Sequence, residues 1–190
     1  MSQFGKTKLV KKMHFDKSAQ EKLLTGIDKI AEAVGSTLGA SGRNVIIEND
    51  YGDPHVTKDG VTVANNILLQ DPVENIAVSM MKQAAQKTAS IAGDGTTTSI
   101  VLTKAIIDSF YKLKGQDFSF RDIKSGINKF AKDVIKYITD KAIPVDLKML
   151  LDVSVISTNN DVDLGTIIAN AFETAGENGI VTMETSPNND

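Results

Sequence analysis

Gly93-Asp94-Gly95-Thr96-Thr97-Thr98 separates two long stretches of helical apolar periodicity, so it marks a junction between two helices. Upstream, Asp71-Pro72-Val73-Glu74 is a strong helix start: Asp caps, Pro takes the first helical position, and Glu reaches back. That helix runs through Ile76, Ala77, Met80, Ala84 and Ile91 and breaks at Gly93. Downstream, a helix from about Thr97 to Leu113 carries Ile100, Val101, Leu102, Ala105, Ile106, Ile107 and Phe110 nearly all round, which predicts deep burial. A third opens with Ser119 and Asp122 and lines Phe120, Ile123, Ile127, Phe130, Val134 and Ile138 along one face. The fold class is therefore mainly α.

Outward from this centre the signals shorten. Ser18 and Glu21 predict a capping box, and Ala19, Leu23, Ile27, Ile30, Val34 and Leu38 follow at helical spacing. Gly35 loosens that helix and Gly39 ends it. A small hairpin is predicted from a strand at 45–48, a turn at Tyr51-Gly52-Asp53-Pro54 and a return strand at Val56-Thr57. Asp59-Gly60 reads equally as a hairpin turn or as the cap of a short helix reaching Ile67. Beyond a boundary at Ile143-Pro144-Val145, a helix over 147–153, a polar loop at 158–161, a helix over 164–175 and a strand at 180–183 are predicted.

Composition narrows the function classes. The 190 residues suffice for one domain and the start of another, and 41% hydrophobic content supports a real core. Aromatics make up only 5% and Trp is absent, so that core is aliphatic. A formal net charge of −3 argues against general nucleic-acid or anionic-membrane binding. The basic cluster Lys6, Lys8, Lys11 and Lys12 reads as a solvated chain end. With no Cys, disulfides and thiol chemistry are excluded, and His14 and His55 alone make a structural zinc site untenable. No apolar run approaches a membrane span, and no signal-peptide core is present.

The junction is also the chemical candidate. A helix N-terminus exposes unpaired N–H groups and partial positive charge, a combination that attracts phosphate. Two glycines permit close backbone approach, and three threonines add hydroxyl donors. Asp94 would repel phosphate unless it holds Mg²⁺, a hard cation that shares oxygens with phosphates. An ordinary capped helix start explains the same residues, and physical chemistry alone leaves both readings open. The stretch lacks the Gly-Lys-Ser/Thr ending of a Walker A loop and is no dinucleotide-binding glycine pattern. Thr37-Leu38-Gly39 and Thr57-Lys58-Asp59-Gly60, taken alone, read as a glycine helix stop and an exposed charged turn.

Taken together, the pieces resemble one family. Thr37-Leu38-Gly39, Gly42-Arg43-Asn44-Val45, Thr57-Lys58-Asp59-Gly60-Val61-Thr62-Val63-Ala64 and Gly93-Asp94-Gly95-Thr96-Thr97-Thr98 are similar to the nucleotide-pocket motifs of group I, GroEL-type chaperonins. Ile156-Ser157-Thr158-Asn159 and Gly179-Ile180-Val181-Thr182 resemble later landmarks. The resemblance implies a multihelical equatorial domain with a small β-hairpin over 1–143, then the first segment of an α+β intermediate domain over 144–190. It implies an ATP-dependent subunit in which ATP and Mg²⁺, with K⁺ as a further cation, are the cofactors. Thr37, Leu38, Gly39, Ala40, Lys58, Gly95, Thr96, Thr97 and Thr98 would bind ATP, Asp94 would bind both ATP and Mg²⁺, and Asp59 would be the catalytic residue that positions or polarises the attacking water.

The implied partners are other chaperonin subunits in a homo-oligomeric double ring, and unfolded proteins and a GroES-type co-chaperonin through domains beyond this chain. The implied location is the cytoplasm of a bacterium or a virus-infected host, with the mitochondrial matrix as second choice. Ala40, Ser41 and Asn160 depart from the usual Pro, Lys and Ser of the family, and Ala40 gives up a fixed φ in the loop. The family's second water-aligning carboxylate lies outside this chain. A non-catalytic assembly or binding module is therefore the competing expectation, and the chain by itself is expected to expose apolar surface and self-associate.

Overall fold

The structure, a computed structural model, describes residues 13–39, 41–48, 53–113, 118–176 and 178–184. The elements run α1 (Asp16–Gly35), β1 (Val45–Ile47), β2 (His55–Thr57), α2 (Gly60–Asn66), α3 (Pro72–Ala92), α4 (Thr96–Leu113), α5 (Phe120–Lys141), α6 (Leu147–Ser157) and α7 (Val162–Ala175). The chain divides into two compact units, Met1–Ile123 and Lys124–Asp190, the division falling inside α5.

The first unit is built around α1. Ile30, Ala31 and Val34 bury against Val63 and Ala64 of α2, Val78, Met81 and Ala85 of α3, and Ile100 of α4. Gly26 lets α1 lie directly on the start of α3: a Cβ there would stand 2.3 Å from the Glu74 carbonyl oxygen. Ion pairs flank that contact, Lys22 with Asp71 and Lys29 with Glu74 at 2.5 Å. Lys104 of α4 reaches Asp28 of α1 at 2.6 Å and Asp108 at 2.8 Å. The hairpin pairs antiparallel in the register Val45 to Thr57, Ile46 to Val56 and Ile47 to His55. Its predicted turn lies partly outside the described residues, as do the N-terminal lysine cluster and Ala40.

Several local expectations are corrected. The α1 N-cap is Phe15, with no side-chain cap, so Ser18 sits inside the first turn and its Oγ donates to Phe15 O at 3.4 Å instead of boxing with Glu21. Asp71 caps α3 as predicted, accepting from Val73 N at 2.8 Å and Glu74 N at 3.3 Å, but the Glu74 carboxylate pairs with Lys29 instead of reaching back. On α3 the buried stripe is Val73, Ala77, Val78, Met81 and Ala85, while Ile76, Met80 and Ile91 are exposed. Apolar residues occupy two adjacent stripes there, one residue or about 100° apart, and the position of α1 selects between them.

Helix α4 buries only Thr96 and Ile100 among its residues and leaves Leu102 and Ile106 exposed. The expected deep burial fails because α1, α2 and α3 cover one side of a helix that is apolar on several. At the start of α5, Ser119 and Asp122 form a reciprocal box: Ser119 Oγ donates to Asp122 Oδ2 at 2.5 Å, and Asp122 N donates to Ser119 Oγ at 3.2 Å.

In the second unit α6 and α7 form a pair capped by Asp146 and Asp161, which accept from Met149 N at 2.8 Å and Leu164 N at 3.0 Å. Both helices extend beyond their predicted spans. They touch where Gly165 meets Val155, since a Cβ on Gly165 would stand 2.7 Å from Val155 Cα. Asn159 and Asn160 turn the chain between them with φ of 58° and 67°. The predicted strand at 180–183 does not form: those residues are irregular, and Ile180 is 89% exposed. A lone extended segment has no ladder to join.

Candidate functional site

Three helix ends meet within the first unit. Helix α1 runs out at Gly35, and Thr37 Oγ1 folds back to donate to Val34 O at 2.7 Å. Gly39 then takes φ of 76°, which reverses the chain. The loop closes on itself through Gly42 N to Gly39 O at 2.9 Å and Arg43 N to Ser36 O at 2.8 Å. This delivers β1, and the hairpin returns the chain to Lys58.

Asp59 then settles the choice that the sequence left open, because it is the N-cap of α2. Its Oδ1 accepts from Val61 N at 3.1 Å, and its Oδ2 accepts from Thr62 N at 2.9 Å and Thr62 Oγ1 at 2.6 Å. Partial burial pushes the Asp59 carboxyl up, but the bonds from Thr62 and Val61 together outweigh it and hold it below the usual range. Gly60 is buried against α4: a Cβ would fall 1.9 Å from Thr97 Oγ1 and 3.2 Å from Thr37 Oγ1. No side chain fits between the start of α2 and the starts and stops of its neighbours.

The third end is the start of α4. Gly93 closes α3 with φ of 77°, and Gly95 follows with φ of 88°. Asp94 between them is exposed, and its Oδ1 accepts from Gly95 N at 2.6 Å. Ser99 N donates to Gly95 O at 2.8 Å, so the helical ladder begins there, and the N–H groups of Thr96, Thr97 and Thr98 have no carbonyl one turn back. Thr88 Oγ1 donates to Ser99 Oγ at 3.2 Å and ties the end of α3 to the start of α4.

These ends enclose a cleft of about 320 Å³ lined by Thr37, Leu38 and Gly39, by Lys58, Asp59, Gly60 and Val61, and by Asp94, Gly95, Thr96, Thr97 and Thr98. Every site residue expected from the sequence lies on it except Ala40, which is outside the described residues. Gly60 and Val61 were not picked out as site residues. The signal for Gly60 was present, because an Asp-Gly pair at a helix start leaves room for a neighbouring backbone or ligand. The cleft wall thus offers unpaired N–H groups, threonine hydroxyls, one ammonium and two carboxylates. Among the described residues no three His, Cys, Asp or Glu side chains cluster as a metal cage. Asp94 fits Mg²⁺ only as one protein ligand beside oxygens supplied by something else, the usual situation for Mg²⁺ shared with phosphates.

The profile of the TCP-1/cpn60 chaperonin family matches residues 30–187. The chain belongs to that chaperonin family. It is 40% identical over 185 residues to chaperonin GroEL 1 of Rhodopirellula baltica, covering 96% of this chain and 32% of that protein. The chain therefore spans about a third of the length of the curated relative it matches. Chaperonin gp146 from the bacteriophage EL 2 (Pseudomonas aeruginosa), crystallised in the presence of ATP-BeFx, superposes with a TM-score of 0.72 at 30% identity in one crystal form, over 86% of this chain and 29% of gp146. A second crystal form gives 0.70 at 32% identity, over 82% and 28%. The mainly helical fold with one small antiparallel hairpin is that of the chaperonin equatorial region. No helix among the described residues is long and apolar enough to cross a membrane.

Proposed function

We propose that the chain carries the Mg-ATP half-site of a chaperonin subunit, which in the complete protein hydrolyses ATP to drive protein folding. The observation that carries this reading is the convergence of Thr37–Gly39, Lys58–Val61 and Asp94–Thr98 on one cleft. The phosphates would lie at the N-terminus of α4, where Thr96, Thr97 and Thr98 supply N–H and hydroxyl donors and the helix dipole favours negative charge. Mg²⁺, held by Asp94, would supply charge neutralisation there. Lys58 brings a cation to the same cleft, and Thr37, Leu38 and Gly39 would line the adenine, ribose and phosphate side. Asp59 is stabilised as a carboxylate and is therefore a weak base. Its role is to orient the attacking water, not to hold that water's proton.

Residues 1–143 are read as equatorial domain and residues 144–190 as the first segment of an intermediate domain. Homo-oligomeric ring assembly, unfolded substrates, a GroES-type co-chaperonin and a cytoplasmic location extend the same family reading. A second reading, a non-catalytic assembly module, is favoured by the apolar residues exposed on α4 and α5.

Calorimetric titration of the chain with ATP, with and without Mg²⁺ and alongside Asp94→Ala, separates the two. Mg-dependent binding that weakens at least about tenfold in Asp94→Ala is expected. A folded, unmutated chain that gives no binding, or a variant that binds Mg-ATP equally well, sinks the half-site.

A further inference from the structure

Asp59 stands on the least self-sufficient element of the cleft. Helix α2 has seven residues, under two full turns, and a helix that short has no stability of its own in water. Its pose must be imposed from outside. At the N-terminal end Asp59 accepts two backbone N–H groups. At the C-terminal end the carbonyls have a single charged partner among the described residues. Lys82 of α3 donates from Nζ to Ile67 O at 2.7 Å and to Asn65 O at 3.0 Å. An ammonium at the negative end of a helix is favourable for both the bonds and the dipole. The side chain is half-buried, and burial pushes its amine down. Lys82 itself does not line the cleft.

The other end of this arrangement has little tolerance. Gly60 fits against Thr97 and Thr37 with no room for a Cβ. A tilt of α2 would therefore move Asp59 and Lys58 relative to Thr96–Thr98. We infer that Lys82 is a positioning residue for the cleft: by clamping the C-terminal carbonyls of α2 to α3, it sets where Asp59 faces the start of α4. This rests on the reading of the cleft as a Mg-ATP site.

The test compares Lys82→Met, which keeps the apolar stem and loses the ammonium, with Lys82→Arg, which restores two donors. Lys29→Met serves as the control. It removes an ion pair between α1 and α3 that does not touch α2. Amide hydrogen exchange, thermal unfolding and calorimetric Mg-ATP titration are measured on each. Lys82→Met is expected to speed exchange of the Gly60–Asn66 amides about tenfold and to weaken Mg-ATP about tenfold. Lys82→Arg should recover both, and Lys29→Met should leave both unchanged at a comparable shift in Tm. Unaltered α2 exchange in Lys82→Met overturns the inference. So does an equal loss of affinity in Lys29→Met, because the effect would then track overall stability. If the unmutated chain binds no Mg-ATP, the site reading fails, and the exchange arm still decides whether Lys82 holds α2. Faster exchange confined to α2 and rescued by Arg supports the clamp, and unchanged exchange removes it.

Discussion

Helices α3 and α5 have 21 and 22 residues, and both start with side-chain caps. The apolar stripe of α5 is the cleaner of the two in sequence. Yet α3 buries five residues and α5 buries none, with Phe130 at 69% exposure. The difference teaches that periodicity states what a helix requires and not what it has received. Helix α3 meets α1, α2 and α4 in the first unit. The stripe of α5 instead lies largely open, with Phe120 and Ile138 exposed as well as Phe130.

The largest test of that contrast uses two adjacent methionines. Met81 is 3% exposed in the core and Met80 is 63% exposed beside it. Met81→Ala is expected to cost about 2–5 kcal/mol in denaturant unfolding, the range for emptying a packed site. Met80→Ala should stay within about 0.5 kcal/mol, as exposed substitutions do. A reversed order would mean that α3 presents its other apolar stripe to α1, and the account of the core would have to be rebuilt.

A smaller effect on stability, with a different readout, is expected on α5. Phe130→Ser removes an exposed ring and should shift unfolding by no more than about 0.5 kcal/mol. It should reduce self-association in sedimentation velocity, because a contiguous exposed apolar stripe promotes association. A compact monomer in the unmutated chain, unaffected by the substitution, would show that the stripe is covered in solution.

The legible parts of this molecule were those set by local chemistry. Asp71-Pro72 at the start of α3, Gly93 at its end and the hairpin strands are decided within a few residues, by caps, a fixed proline φ and short β-branched runs. The cleft was legible for a related reason. Helix starts and stops are written locally, and the motifs named which of them belong together. What failed was decided at longer range. Ser18 was a plausible cap displaced by a helix that begins earlier, at Asp16. The all-round apolar face of α4 could not say which side its neighbours would cover. Residues 180–183 have strand composition but no partner strand to pair with among the described residues. The Asp-Gly pair marked Gly60 as a position that needs room, but only the fold brings Thr97 and Thr37, far away in sequence, into that room.

The smallest expected effect concerns how α3 earns its fixed start. Asp71 is more than a local cap, since the hydrogen bond from Lys22 of α1 is the main cause that lowers its carboxyl to about 2. Burial opposes that shift, and the bonds from Val73 N and Glu74 N add to it. A carboxyl lowered in the folded state binds its proton more weakly than in the unfolded chain, where about 3.9 is usual. Its contribution to stability is thus fully present above about pH 4 and is lost as pH falls toward 2. Asp71→Asn keeps a competent cap but abolishes the charge. The variant should be slightly less stable than the parent at pH 7, and the two unfolding curves should converge as pH is lowered through 4 to 2. Lys22→Met should show the same convergence, because it removes the other half of the pair. A constant gap across that pH range would mean that the pairing across α1 and α3 adds nothing to the anchoring of α3. The contrast with α5, whose box of Ser119 and Asp122 is wholly local, would then lie in side-chain burial alone.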